Sequence, residues 1–300
     1  MTPELTAFVR RELSQPLPAA IRVFAQALAK AAGARAALFY GSVLRTGDLA
    51  GVLDFYLLTE TPPRQGLDRW LWPRVGYRRL EIEGREVRAK VATLPLATFA
   101  RAAGDGALDT TIWTRFVQPA ALAFAEDAAV EAQVVAAVAA AAETATRYAA
   151  ALGPASGTAE DYWAGLFRRT YRAELRVEAP GREREILAFD PPRYAALLPL
   201  AWASAGVSCS QSDGVLTPKL PPGQRTGLLK AWGRRQAVGR PLNAARLMKA
   251  AFTFEGAARY AAWKIERHTG VAIPLTPWRE RHPILAAPGV AWRLWRAKRR

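Results

Sequence analysis

The sequence predicts an α+β protein in which a small mixed sheet with helices is followed by a mostly helical module and a basic helical C-terminal region. Three observations carry this. Short runs rich in β-branched and aromatic residues, at about 36–40, 52–59, 77–83 and 86–94, are interleaved with amphipathic stretches early in the chain. An Ala-rich stretch then keeps helical character from about 127 to 151. Charge is also unevenly placed: of a net +16, +15 lies from Lys219 onward, where 18 basic residues stand against three acidic ones.

Residues 4–33 put Leu5, Phe8 and Val9, then Ile21, Phe24 and Leu28, at helical spacing. Pro16 and Pro18 divide that stretch, since proline offers no amide donor to a helix interior. Strands follow at 36–40 and 52–59, then a Pro/Gly/Trp loop from Pro62 to Gly76, where Trp70 and Trp72 are expected to pack the loop. Strands at 77–83 and 86–94 read as a hairpin turning at Gly84, and Pro95 ends the second of them before helices at 96–103 and 107–117. Gly153-Pro154-Ala155-Ser156-Gly157 marks the expected domain boundary after the long helix. Helices at 159–172 and 192–205 then flank two short strands, 173–177 and 184–188, which suggests a winged-helix-like module; Ser208 to Gly223 reads as a loop. The expected domains are 1–125, 126–218 and 219–300.

Composition excludes several chemistries. Cys209 is the single cysteine of the 300 residues, so neither an internal disulfide nor a thiolate metal cluster is available. His268 and His282 are the only histidines, which leaves a His-based zinc site or a Ser-His-Asp triad improbable and any metal a hard cation on carboxylates. No segment reads as a membrane span, because the Ala-rich stretch carries Glu126, Asp127, Glu131, Glu143 and Arg147, and the N-terminus has no hydrophobic signal core. A cytoplasmic protein is expected. The basic C-terminal block implies a polyanionic partner, either nucleic acid or an anionic membrane surface. In the tail, Trp292 and Trp295 stand three apart among basic residues that include Arg296, the composition of an interfacial helix or of a docked basic terminal helix.

Two short segments carry chemistry. Gly41-Ser42 ends the apolar run Ala36–Tyr40, where a glycine lets backbone amides approach a phosphate closely. Asp54 interrupts the apolar run Val52–Leu58. An unpartnered buried carboxylate costs roughly several kcal/mol, and a divalent cation is one partner that removes the cost. A turn glycine and a strand-edge aspartate are the plain structural alternative.

This Gly-Ser followed by a strand aspartate resembles the signature of the nucleotidyltransferase superfamily, with one departure: the second carboxylate expected two residues after the first is Tyr56. More of the chain continues the likeness. Gly84-Arg85-Glu86-Val87-Arg88-Ala89-Lys90-Val91, Arg115-Phe116-Val117-Gln118-Pro119, Tyr171-Arg172-Ala173-Glu174-Leu175-Arg176, and Lys249-Ala250-Ala251-Phe252-Thr253 with Gly256, Tyr260 and Lys264 follow in order. Together, over residues 38 to 265, they resemble the mitochondrial-type phosphatidate cytidylyltransferases, the translocator assembly and maintenance proteins, as a bacterial relative would. That family makes CDP-diacylglycerol and pyrophosphate from CTP and phosphatidic acid.

The resemblance implies a nucleotidyltransferase-like sheet, a Mg²⁺ cofactor, and a protein that sits peripherally on the inner face of the cell membrane. CTP, phosphatidic acid and an anionic membrane surface are the implied partners, with no nucleic acid or obligate protein partner. Tyr40, Gly41, Ser42 and Arg115 would bind the nucleotide, and Asp54 would hold the metal. Arg88 and Lys90, which share one strand face, would meet the charge of departing pyrophosphate. Glu174 would supply the missing carboxylate, with Glu86 as the alternative. Tyr171 and Arg176 would contact nucleotide or lipid phosphate, and Lys249, Lys264, Trp292, Trp295 and Arg296 the lipid surface. Two other readings stay open: a nucleotidyltransferase acting on RNA or another polyanion, and an inactive nucleotide- or membrane-binding relative, which Tyr56 would explain.

Overall fold

In a computed structural model the chain is α+β, with a mixed five-stranded sheet. Residues 1–47, 51–60, 71–82, 84–174, 181–253, 258–259, 261–262, 265–266, 271–281, 285–290 and 292 are described. The first helices are α1 (Pro3–Leu13) and α2 (Ala19–Ala32). Strand β1 (Ala34–Tyr40) leads through the short helix α3 (Ser42–Thr46) to β2 (Val52–Thr59), then β3 (Arg74–Ile82) and β4 (Arg85–Pro95). Helices α4 (Leu96–Ala103) and α5 (Thr111–Phe116) precede β5 (Ala120–Ala125). The strand order is β3-β4-β2-β1-β5, with β2 and β4 parallel and the other neighbours antiparallel.

Strand alternation gives the sheet two apolar faces. Phe39, Phe55, Leu57 and Val91 lie on one, against Ile21, Phe24 and Leu28 of α2. Leu38, Tyr56, Leu58, Ala92 and Leu94 lie on the other, against α1, α4, α5 and the long helix α6 (Ala128–Leu152). Asp127 starts α6 by accepting from the Val130 amide. Among the described residues, α6 alone has the length and apolarity of a membrane span. Fifteen of its residues are buried, and α1, α4, α5, α7, α9 and α10 pack on it.

The second half is helical: α7 (Ala159–Ala173), α8 (Arg182–Ala188) and α9 (Pro191–Ser204) precede a hairpin of β6 (Ser208–Ser212) and β7 (Val215–Lys219), then α10 (Pro222–Thr253). A capping box, in which Thr158 and Asp161 bond each other's backbone amides, begins α7. The strand pair expected at 173–177 and 184–188 is corrected here. Residues 184–188 lie in α8, Ala173 ends α7, and 175–177 fall outside the described residues. The hairpin instead occupies the stretch read as a loop, where Asp213 and Gly214, at φ 49° and 76°, make the tight Asp-Gly turn that a two-residue hairpin favours. Strand β5 is also new. Its Ala-rich sequence has little strand propensity, and pairing along β1 places it.

One hydrophobic cluster runs from Leu5 through the sheet and α6 to Trp232 of α10, across both expected domain boundaries. The Gly153–Gly157 turn is packed: a Cβ on Gly153 would lie 2.5 Å from the Ala149 carbonyl oxygen and from the Tyr162 ring. A buried ion pair joins α1 to α9 within this core. Arg193, 7 % exposed in its side chain, donates to both Glu12 carboxylate oxygens (2.5 and 2.8 Å) and to the Val117 carbonyl (3.0 Å). Glu12→Gln leaves that guanidinium uncompensated and should lower unfolding free energy by about 3 kcal/mol in urea titrations at an unchanged m-value. A loss below about 1 kcal/mol would make the pair equivalent to a surface one.

The basic charge of α10 is turned inward in part. Arg235, 3 % exposed, donates to the Asp105 carboxylate (2.6 Å) and the Ala107 carbonyl (3.0 Å) beneath the ring of Tyr148. Arg246 pairs with buried Asp109 and stands 4.4 Å from the Trp72 ring centroid. Lys249, expected at the lipid surface, donates to the Leu71 carbonyl at 2.7 Å; α10 lies against β3 and α7, which brings its lysine to the segment just before β3. Trp292 is 56 % exposed, while Lys264, Trp295 and Arg296 lie outside the described residues.

Candidate active site

Pairing sets Ala120, Tyr40, Asp54, Lys90 and Tyr77 directly opposite one another on five adjacent strands. Paired residues point to the same side of a sheet, so this is one row across one face. The preceding row contains Leu38, Tyr56 and Ala92, all buried in the core. Asp54 therefore stands where the apolar face stops. Its position in the strand, two residues before Tyr56, is what brings a carboxylate to this edge.

Gly41 makes the site possible. Its φ of 96° and ψ of −162° belong to a region open essentially to glycine alone. A Cβ there would sit 2.7 Å from Asp54 Oδ2, so the backbone passes against the carboxylate in a way that no side chain permits. The chain then turns into α3, which carries Ser42 and Arg45.

Around these residues is a cavity of about 220 Å³, lined from the sheet side by Tyr40, Gly41, Ser42, Arg45, Asp54 and Lys90. Arg115, Gln118 and Pro119 close one side, and Tyr171, Arg182 and Ile186 of α7 and α8 close another. Four cations and one carboxylate thus share the wall. Lys90 Nζ is 3.9 Å from Asp54 Oδ1. Burial pushes the Asp54 carboxyl above its ordinary value, and Lys90, Arg115 and Arg45 partly offset the rise. Arg115 donates to the Tyr56 hydroxyl at 2.5 Å and lies 5.3 and 5.5 Å from the ring centroids of Tyr40 and Tyr56. Burial opposes its charge, yet Tyr56, Tyr40, Glu174 and Asp54 hold its pKa above the ordinary arginine value, so it is a fixed cation. Arg45 is pushed down, first by burial and then by the like charge of Arg182.

The structure brings together Tyr40, Gly41, Ser42, Asp54, Lys90, Arg115 and Tyr171 from the residues singled out in the sequence. It places three others away from the cavity lining. Arg88 lies two residues before Lys90 on β4, and its Nε donates to Glu86 at 2.8 Å. Glu86 also takes Arg79, at 3.1 Å, and lines a separate hollow with Arg259, Glu280 and Arg281. Glu174 caps the C-terminus of α7; it is 5 % exposed, accepts from the Thr110 hydroxyl, and its backbone carbonyl takes Asn243 at 3.0 Å. Its carboxylate acts on the site through the field it exerts on Arg115. Arg176 lies outside the described residues.

Two cavity residues, Arg45 and Arg182, were not assigned roles from the sequence. Arg45 follows Gly41-Ser42 by one helical turn, a spacing that could have flagged it. Arg182 sits in the charge run Arg182-Glu183-Arg184-Glu185, which offers no signal of its own. Searched against protein-family models and against curated proteins, the chain gives no match.

Proposed function

We propose that this chain is a nucleotidyltransferase that joins CTP to phosphatidate, forming CDP-diacylglycerol and pyrophosphate at a membrane surface. The observation that carries the reading is Gly41 passing within contact distance of Asp54 inside a cavity walled by four cations. A carboxylate whose ionisation is opposed by burial, held among cations that suit phosphate groups, is the arrangement that such a reaction needs. The small mixed sheet, with its Gly-Ser turn and strand aspartate, accords with the nucleotidyltransferase-like description.

The residues present fit a magnesium ion. Among the described residues no group of three or more His, Cys, Asp or Glu side chains clusters at one place. Mg²⁺ commonly takes one or two carboxylates and completes its shell with water and substrate phosphate oxygens, which suits Asp54 as its protein ligand. When bound, the ion would neutralise phosphate charge near the reacting phosphorus. Gly41 and Ser42 would offer backbone to the triphosphate, and Lys90 and Arg115 would stabilise charge that builds on the leaving pyrophosphate. An oxygen of the acceptor phosphate forms a bond to the α-phosphorus while the bond to the bridging oxygen breaks, and pyrophosphate departs with the electron pair. A phosphate monoester is already anionic at neutral pH, so positioning and charge neutralisation suffice without a strong base.

A second reading rests on Tyr56, whose hydroxyl is held by Arg115 where a second carboxylate would be expected: the cavity binds nucleotide without turnover. Incubating the full chain with labelled CTP and Mg²⁺, and either phosphatidate vesicles or RNA, separates the readings. Labelled CDP-diacylglycerol with phosphatidate alone is the expected result. Label transferred to RNA would overturn the lipid acceptor, and CTP binding without product would establish the second reading.

A further inference from the structure

The cations of the cavity fall into two groups. Lys90 Nζ lies 3.9 Å from Asp54 Oδ1, and Arg115 is held by the Tyr56 hydroxyl and lies against the ring of Tyr40, the residue paired with Asp54 across the sheet. Arg45, on α3, shares the lining with Tyr171 and Arg182 of the α7 and α8 wall, and burial and then the like charge of Arg182 lower its pKa. There, two guanidinium groups from distant parts of the chain meet in one half-enclosed space. Arg182 pairs at 2.6 Å with Glu185, an exposed carboxylate outside the lining, so that among the described lining residues Asp54 is the one carboxylate set against the arginines. Like charges brought together out of bulk water are unfavourable unless an anion joins them.

We infer that Arg45 and Arg182 form a clamp for a phosphate monoester, the attacking group of the acceptor, separate from the triphosphate end at Asp54, Lys90 and Arg115. The assignment of this phosphate to the acceptor rests on the nucleotidyltransferase reading; the clamp itself does not. Two guanidinium groups present planar donor forks to the oxygens of one dianion, a stronger and more directional hold than lysines give. Placed in the same cavity as Asp54, the clamp would bring the acceptor oxygen toward the nucleotide without a residue acting as base. Ile186 and Pro119 add apolar surface to a lining that also holds Gln118 and Tyr171, and that surface suits a phosphate attached to a carbon chain.

The test measures binding to the full chain at constant ionic strength, by calorimetry and thermal shift, with glycerol 3-phosphate, dioctanoyl phosphatidate below its aggregation threshold, and Mg²⁺-CTP as separate probes. The wild type should bind both monoesters, and Arg45→Gln and Arg182→Gln should each weaken that binding about tenfold or more. Mg²⁺-CTP affinity should stay within about threefold, and Arg182→Lys should restore part of the monoester affinity. No monoester binding by the wild type overturns the inference, as does an equal loss for CTP and monoester in both variants, which would give the two arginines to the triphosphate. If the wild type binds monoesters through these arginines but never CTP, the clamp stands and the nucleotidyltransferase reading falls. Tighter binding of the short-chain phosphatidate than of glycerol 3-phosphate identifies a lipid source, equal binding a soluble one, and either sustains the clamp.

Discussion

Asp54→Asn is expected to reduce CTP-dependent turnover by about a thousandfold or more and, at the same time, to make the ligand-free protein more stable at neutral pH. The first effect follows from removing the carboxylate that Mg²⁺ would need. The second follows from the direction of its pKa. Burial raises the folded-state value above the unfolded one of about 3.9, so between the two values the folded state binds more protons. Stability is then lost as pH rises through that window, and the ionised carboxylate remains a burden at every higher pH. Asparagine has nearly the same shape and no charge to desolvate. The difference in melting temperature, mutant minus wild type, should be near zero around pH 3.5 and should grow to a positive plateau above the folded pKa. Mg²⁺-CTP should raise the melting temperature of the wild type and leave the mutant unmoved. A mutant less stable than wild type at pH 7 would instead make Asp54 a structural counter-ion for Lys90 and Arg115.

The second large effect is at Gly41. Gly41→Ala must place a methyl group 2.7 Å from Asp54 Oδ2, and must do so at φ 96° and ψ −162°, where residues with a Cβ are strained by roughly 1–3 kcal/mol. Either the carboxylate moves away or the turn into α3 is rebuilt. Both displace Asp54 or Ser42 by about an ångström, enough for a loss of roughly a hundredfold in turnover. Gly47→Ala is the control. It also has positive φ, 71°, but a Cβ there meets nothing within 4 Å. That variant should lose about 1 kcal/mol of stability and keep its CTP affinity. If the two variants fall equally in activity, general destabilisation accounts for the loss and the contact with Asp54 does not.

How much of this was legible in the sequence depended on where the signal was local. Helices α1, α2, α4, α6, α7 and α9 and strands β1 to β4 follow from apolar spacing, proline breaks and the Gly84 turn, because each buries a face that the sequence displays. Strand β5 could not be read in this way. Ala120–Ala125 is a strand because β1 offers an edge, a fact of tertiary pairing rather than of propensity. The β6–β7 hairpin was legible and overlooked: Asp213-Gly214 is a strong turn pair, but its flanking Ser208–Ser212 is too polar to look like a strand. At the site, Gly41, Ser42 and Asp54 stood out because a glycine after a strand and an acid within one are locally anomalous. Lys90 was named with Arg88 from the family resemblance, the two sharing one strand face, and of the pair Lys90 lines the cavity while Arg88 pairs with Glu86. Arg45 and Arg182 did not stand out, since a single arginine in a charged or amphipathic stretch looks like any solvated one until the fold sets the two against each other. The inward turn of Arg235, Arg246 and Lys249 was hidden for the same reason: a count of charges carries no direction.

The single core from Leu5 to Trp232 bears on how the cavity can work. Its walls come from the sheet and from α7 and α8, and these are joined by packing around α6 rather than by a hinge between two independent bodies. The ordering entropy of the walls is therefore borne by folding and not by ligand capture, so little of a ligand's binding energy is diverted into bringing the two sides together. A socket assembled in this way exchanges reach for readiness. It admits what fits between Asp54 and Arg182 as they stand, and selection among anions becomes a matter of size and charge spacing rather than of which one can drive a closure.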